Sequence, residues 1–237
     1  KETFSHISSL IFLLLYDAFT FYIRYCFSEM LNLFLENFVL IFVAIDPISL
    51  LPIFASFTHG LNKSDLRTLC IRTTLTSFII LTIFWVVGTL ILQLMGISLD
   101  SFRIVGGMFL MIIAYQMVFE QRQQRRQDTA EKAIDEEALS SLATFPLAIP
   151  LIAGPGAITI VMLLSEKSNG SMEAQLIGFS PIIIVMAMVA LSLWLSGKIA
   201  EVLPASVLGV LQRTFGILLG ALAIEFVIEG IRQTFGI

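Results

Sequence analysis

Charge is what this sequence has least of. Only 14% of its 237 residues are Asp, Glu, Lys or Arg, where a soluble domain of this size carries about a quarter. Cysteine is nearly absent: Cys26 and Cys70 stand far apart with no histidine cluster beside them, which argues against a disulfide framework or a zinc site and for small apolar fillers. The two histidines, His6 and His59, are isolated and read as surface or interfacial residues. There is no basic excess. A net charge of −4 and a sequence pI of about 5.2 exclude a nucleic-acid-binding surface.

Several catalytic signatures are missing too. No G-x-x-x-x-G-K-[ST] occurs, so the chain does not hydrolyse ATP itself, and the GPG at 154–156 lacks the lysine of a phosphate loop. No H-E-x-x-H is present, and no nucleophile–histidine pair is visible. An intramembrane aspartyl protease would need two carboxylates in one site. Asp46 has no acidic counterpart, because the matching position in the second half is Ile149. The expectation is that the chain is not an enzyme and has no metal or organic cofactor.

What the sequence does have is apolar length. Hydrophobic residues make up 57%, and the mean hydropathy is +0.92. A membrane-spanning helix needs about 20 mostly apolar residues. The stretches Thr73 to Leu99, Ala138 to Ser165 and Ala174 to Gly197 carry no charge at all. Leu33 to Thr58, Ile104 to Phe119 and Val207 to Ile228 are nearly as apolar. The reading is an all-α, polytopic membrane protein with six core spans: Leu33–Thr58, Thr73–Met95, Arg103–Phe119, Thr144–Leu164, Gln175–Ser196 and Leu208–Ile231. His59 to Arg72 reads as a polar loop, and EQRQQRRQDTAEKAIDEE as a solvated helical linker without an apolar stripe. Residues 1–29 are apolar but interrupted by Asp17 and Arg24, with no basic start and no small-residue cleavage site. They read as an interfacial helix, an extra span or a mis-called start, not a signal peptide.

The domain reading is thus an extension 1–29, a first three-helix unit 30–119, a linker 120–141 and a second three-helix unit 142–237. Lys and Arg orient the core: nine lie on the linker's side (63, 67, 72, 122, 125, 126, 132, 198 and 213) and three on the other (103, 167 and 232). The positive-inside bias places the linker in the cytoplasm and the C-terminus outside.

Two segments break the apolar pattern in the same way. DPISLLPIF holds Pro47 and Pro52, and IPLIAGPGAIT holds Pro150 and Pro155, both spaced P-x4-P inside a long apolar run. RIVGG from Arg103 and RTFG from Arg213 both place R-x-x-G at the head of the third helix of their half. Three spans per half is an odd number, so the second half enters upside down: two inverted three-helix repeats with helices one and four broken, an architecture common among secondary transporters. Proline removes an N–H donor and clashes with the carbonyl four residues back. The backbone groups so released in a membrane must be satisfied by protein, ligand, ion or trapped water. The half-helix N-termini near Pro52 and Pro155 suit a carboxylate, and Gly154 and Gly156 permit close backbone approach. Asp46 beside the first break is either a cation, proton or ligand-ammonium partner or a helix cap ahead of Pro47. Ser49, Ser56 and Thr159 offer hydroxyls near that level, unless they bond backbone carbonyls of their own helices. Arg103 and Arg213 read as interfacial anchors that snorkel to phosphates. Glu225 and Glu229 either line a pathway or reach headgroup level. Gly106, Gly107 and the Gly216–Gly220 pair read as helix-packing positions.

DPISLLPIF, GISLDSFRIVGG, FPLAIPLIAGPGAIT and RTFGILLGALAIEFVIEGI, in that order, together resemble the MarC family of bacterial inner-membrane proteins over about Met30 to the C-terminus. The resemblance implies six spans and membership among neutral amino acid transporters. It also implies Asp or Asn at position 46, which speaks against an obligatory proton carrier there. The first 29 residues have no counterpart in that pattern. The expected function is a secondary transporter or exporter of small neutral amino acids or related solutes across the bacterial inner membrane. Its expected site is Asp46, Pro47, Ser49, Pro52, Pro150, Gly154, Pro155, Gly156 and Thr159. A coupling H+ or Na+ and a homo-oligomeric state are both open. The alternatives are a passive channel, a non-transporting regulator or assembly partner that docks through the linker, and, last, an intramembrane enzyme.

Overall fold

The computed structural model describes residues 28–58, 61–134, 143–199 and 204–236. The readings of residues 1–27, of His59 and of the end of the linker lie outside them. Among the described residues the regular structure is entirely helical. In chain order it comprises α1 (Ser28–Ile45), α2 (Leu51–Thr58), α3 (Lys63–Leu94), α4 (Leu99–Val118), α5 (Gln121–Ile134), a twice-interrupted segment α6 (Ala143–Ile152), α7 (Pro155–Lys167), α8 (Met172–Ile199) and α9 (Ala205–Phe235).

Five of these helices, α1, α3, α4, α8 and α9, are long and apolar enough to cross a membrane. The pair α6 and α7, bent by 60°, makes a sixth candidate if it is counted as one broken span. The first apolar run is divided at residues 46–50 into α1 and the eight-residue α2. At 1.5 Å per residue, α2 is only about 12 Å long and cannot span alone.

The polar loop expected at His59 to Arg72 is in large part helix. Asn62 caps α3: its Oδ1 accepts from the Asp65 N–H at 2.8 Å and its Nδ2 donates to the Asp65 carboxylate at 2.8 Å. Backbone hydrogen bonding does not require apolar side chains, so the helix begins ten residues before the uncharged run. Ser98 opens α4 in the same manner, accepting from the Ser101 N–H at 3.1 Å.

The centre of the molecule is α3, which packs on α6, α7 and α8, while α4 and α9 form a long pair and α2 lies along α8. Between lipid-facing helices there is no hydrophobic driving force, so close approach and hydrogen bonds must hold them. A Cβ on Gly107 would sit 2.7 Å from the Ala223 carbonyl oxygen, and one on Gly230 2.8 Å from that of Asp100, so α4 and α9 touch backbone to backbone. Asn37 Nδ2 donates to the Gly178 carbonyl at 3.2 Å, joining α1 to α8. The Ser165 hydroxyl donates to the Trp85 carbonyl at 2.5 Å, joining α7 to α3. Cys70 is buried and its thiol donates to the Ala190 carbonyl at 3.3 Å, a packing role. Leu94, Val86, Ile217 and Val210 face outward, each more than 60% exposed, as a lipid-facing belt requires.

Charged groups sort to the two ends. Arg213 pairs with Glu120 at 2.8 Å at one end. At the other, Arg103 pairs with Glu166 at 2.5 Å and Lys167 with Glu36 at 2.5 Å. The reading of Arg103 as a phosphate anchor is corrected here: its guanidinium also reaches Asp100 at 3.4 Å and Gln233, and its side chain is only 14% exposed.

Candidate functional site: two helix breaks gathered by a linker arginine

The first break begins where α1 can no longer continue. Asp46 donates its N–H to the Phe42 carbonyl at 2.7 Å, as the last hydrogen bond of the helix. Its own backbone then turns to φ +56°, the left-handed region that ends many helices and that Asp and Asn tolerate better than other side chains. Pro47 follows and cannot donate to the helix. The Asp46 carboxylate turns forward and accepts from the Ser49 N–H at 3.3 Å. Leu51 closes the turn on the Ile48 carbonyl at 3.1 Å, and α2 starts there with Pro52 in its first turn, where a missing N–H is harmless. The reading of Asp46 as a helix cap ahead of Pro47 is corrected: its carboxylate closes the turn at 47–50, while α2 starts only at Leu51, and the residue is 2% exposed. The Ser56 hydroxyl donates to the Ile53 carbonyl at 2.7 Å within α2 and is otherwise exposed.

The second break is built differently. Phe145 and Ile149 are extended, each ahead of a cis proline, Pro146 and Pro150. Gly154 is the N-cap of α7 with Pro155 in its first turn, and no side chain caps that end. A Cβ on Gly154 would stand 2.5 Å from the Pro150 carbonyl oxygen, and one on Gly156 would run into the Ile113 side chain. The space these glycines leave is thus taken by the protein itself. Thr159 is buried, its methyl against Gly106 of α4.

The two breaks meet, and the group that joins them was not on the list of expected site residues. Arg126 of α5 is 7% exposed. Its Nη2 donates to the Ile45 carbonyl at 3.1 Å and to the Leu151 carbonyl at 3.3 Å, one from each break. Its Nη1 stands 3.9 Å from Asp46 Oδ2. Arg122, one turn earlier, donates to the Ala44 carbonyl. The last carbonyls of a helix lack intrahelical partners and carry the negative end of its dipole. A guanidinium, with five donors and a fixed positive charge, answers both needs. Burial, and next the charge of Arg122, push Arg126 down to about 9, with Asp46 holding it up. Burial lowers Arg122 likewise, against the pull of Asp46. Arg126 thus stays cationic at neutral pH.

This corrects the reading of the linker as solvated. It is helical, but one face turns inward. Arg122 and Arg126 are four residues apart, hence on one face of a helix. That spacing is visible in the sequence, but an inward face made of cations carries no apolar stripe to mark it.

Two cavities adjoin this junction. One of about 140 Å³ runs from Ala44 past Arg122 and Arg126 to Pro150 and the Gly154–Ala157 turn. Beside it lies one of about 530 Å³, bounded by Arg122, Arg125, Arg126, Gln116, Pro150 and Pro155, with no acidic residue in its wall among the described residues. Two buried polar atoms at the junction, Asp46 Oδ2 and Arg126 Nη1, have no hydrogen-bond partner. A third cavity, about 390 Å³, opens toward the other charged end and is lined by Glu36, Arg103, Lys167, Glu225 and Glu229. Thr159 lies between Gly156, which lines the smaller cavity at the junction, and Leu163, which lines the far one. At 1.5 Å per residue that layer is roughly 10 Å thick. Of the expected residues, the structure brings Asp46, Ser49 and Pro150 to Gly156 around Arg126, and leaves Thr159 in the layer behind them.

A membrane-embedded helical bundle with paired interrupted helices and polar groups buried at the interruptions is the class that this fold and site define. The profile of the MarC family integral membrane proteins matches residues 31–235. A UPF0056 membrane protein of Methanocaldococcus jannaschii is 32% identical over 207 residues, 86% of this chain and 89% of the relative. UPF0056 membrane protein YhcE of Escherichia coli is 33% identical over 209 residues, 85% and 93% of the two chains. A UPF0056 membrane protein of Pyrococcus horikoshii is 33% identical over 217 residues, 88% and 99%. No solved structure matches. The chain belongs to the MarC family of integral membrane proteins. The names of these relatives state a membrane protein and no activity, and their sources include archaea as well as a bacterium.

Proposed function

We propose that this protein is a secondary transporter or exporter of small neutral amino acids or related small solutes, with its solute site at the gathered helix breaks. The observation that carries the reading is the pair of cavities. One reaches the Arg126–Asp46 junction from the α5 end, the other reaches the Arg103–Glu166 end, and a single buried layer at Thr159 parts them. Alternating access needs such a layer between two vestibules. The packing is consistent with the inverted repeat: α2 lies on α8 as α7 lies on α3, while α3 meets α8 and α4 meets α9 across the same axis. The cation count places α5 in the cytoplasm and the C-terminus outside, in the inner membrane of a bacterium or the plasma membrane of an archaeon.

The test is counterflow in proteoliposomes loaded with unlabelled alanine, glycine or serine, following entry of the labelled solute. The expected result is transient accumulation in the native protein and its loss in Asp46→Ala and Thr159→Val that still elute as folded protein. No counterflow from folded protein with any of the three solutes sinks the amino acid reading. Entry that neither saturates nor accumulates would make the protein a channel.

A further inference from the structure

We infer that the linker helix α5 supplies an anion-binding group to the cavity: Arg126, supported by Arg122 and by the N-terminus of α7, forms a site for a carboxylate. The inference rests on reading this cavity as the solute site and names the chemistry of its ligand. Four observations converge. Arg126 is 7% exposed and lines both cavities at the junction. Its Nη2 is committed to the Ile45 and Leu151 carbonyls, while its Nη1 has no hydrogen-bond partner among the described residues, Asp46 Oδ2 being 3.9 Å away. A buried guanidinium nitrogen without a partner is costly, so such an atom on a residue that lines a cavity marks a place for an acceptor. Next, α7 is 13 residues long and opens on this cavity at Pro155 and Gly156 with no side chain capping it. Its first-turn N–H groups and the positive end of its dipole suit an anion. Finally, the wall of the larger cavity carries Arg122, Arg125 and Arg126 and, among the described residues, no acidic one.

The chemistry favours a carboxylate on a small molecule. A guanidinium binds a planar carboxylate with specific geometry, and of the two cavities at the junction the one that touches Arg126 and the whole Gly154–Ala157 turn holds only about 140 Å³. A phosphate, free or on a lipid headgroup, shares the anion chemistry, and the test separates it.

The experiment uses the full chain purified in detergent and follows thermal unfolding by tryptophan fluorescence. Sodium acetate and L-alanine are compared with acetamide and L-alaninamide at matched ionic strength, and with sodium phosphate and short-chain phosphatidylglycerol. A rise of several degrees in the midpoint with the two carboxylates, and none with the two amides, is expected for the native chain. Arg126→Gln should abolish the rise, Arg126→Lys should weaken the apparent affinity at least tenfold, and Arg232→Gln at the far end of α9 should leave it intact. Should Arg126→Gln fail to fold, the acid–amide comparison in the native chain and Arg122→Gln, expected to weaken the effect, still decide. Equal effects of acids and amides, an undiminished rise in folded Arg126→Gln, or a stronger rise with phosphate or phosphatidylglycerol would overturn the carboxylate site. Carboxylate binding without counterflow of any amino acid would sink transport and keep the site. Counterflow without a carboxylate effect would do the reverse.

Discussion

At the scale of single residues, Asp46 holds three roles that a substitution can separate. Its backbone sits in the left-handed region, its carboxylate accepts from Ser49, and its charge faces Arg126. Asn keeps the first two and loses the charge, whereas Ala keeps none. A non-glycine residue in left-handed backbone costs about 1–2 kcal/mol. Asp46→Ala should therefore unfold at lower denaturant than Asp46→Asn, by about 1 kcal/mol or more. Equal stability of the two would show that backbone conformation is not what the residue provides. Arg126 asks a different question. Removing one partner of a buried pair leaves the other charge uncompensated, at roughly 3–5 kcal/mol. Arg126→Met should be strongly destabilising in the Asp46 background and less so once Asp46→Asn is present. It should never be neutral, because the Ile45 and Leu151 carbonyls lose their donor in both. A double-mutant cycle that shows strict additivity would rule out coupling across the 3.9 Å gap.

At the scale of helices, contact distance decides which glycines matter. Gly107 faces the Ala223 carbonyl and the Val227 backbone of α9, so Gly107→Val forces the two helices apart. Overpacking of this kind costs about 1–3 kcal/mol. Gly170, which has open space around it, should accept alanine with little change in the midpoint of unfolding. Helix ends are a second case. Asn62→Ala removes the cap of α3 and should cost about 1 kcal/mol, measured by the same denaturant titration. This end of α3 reads as loop because its charges, Lys63, Asp65, Arg67 and Arg72, interrupt the apolar run, although Leu66, Leu69 and Cys70 lie at helical spacing. The Asn62–Asp65 pair was there to be read as a cap, three residues apart and ahead of a helix.

For the molecule as a whole, the two charged ends should face opposite sides of the membrane. Asp128, exposed on α5, and Ile97, exposed in the turn before α4, are suitable sites for cysteine substitution. In intact cells an impermeant maleimide should label Ile97→Cys, and Asp128→Cys should be labelled only after the cells are opened. The reverse pattern would invert the orientation that the cation count gives, and labelling of both in intact cells would undo the six-span reading. The expected background is low at Cys70, which is buried.

The sequence by itself determined that the chain lives in a membrane, how many spans it can form and where two of them break. Those properties depend on local quantities: the apolar length of a run, and the donor and the backbone freedom that proline removes. The four motifs also mark its family without reference to the fold. Only the tertiary structure decided what sits at the breaks. Exposed carbonyls in a membrane need a donor, but the sequence near them names none. The donor comes from Arg122 and Arg126, which lie 77 and 81 residues beyond Ile45 in the chain, in a polar segment that reads as solvated. Burying a cation there is favourable only because two helix ends with unpaired carbonyls, and one carboxylate, converge on it from distant parts of the chain. That convergence is set by packing across the fold, which no local pattern records.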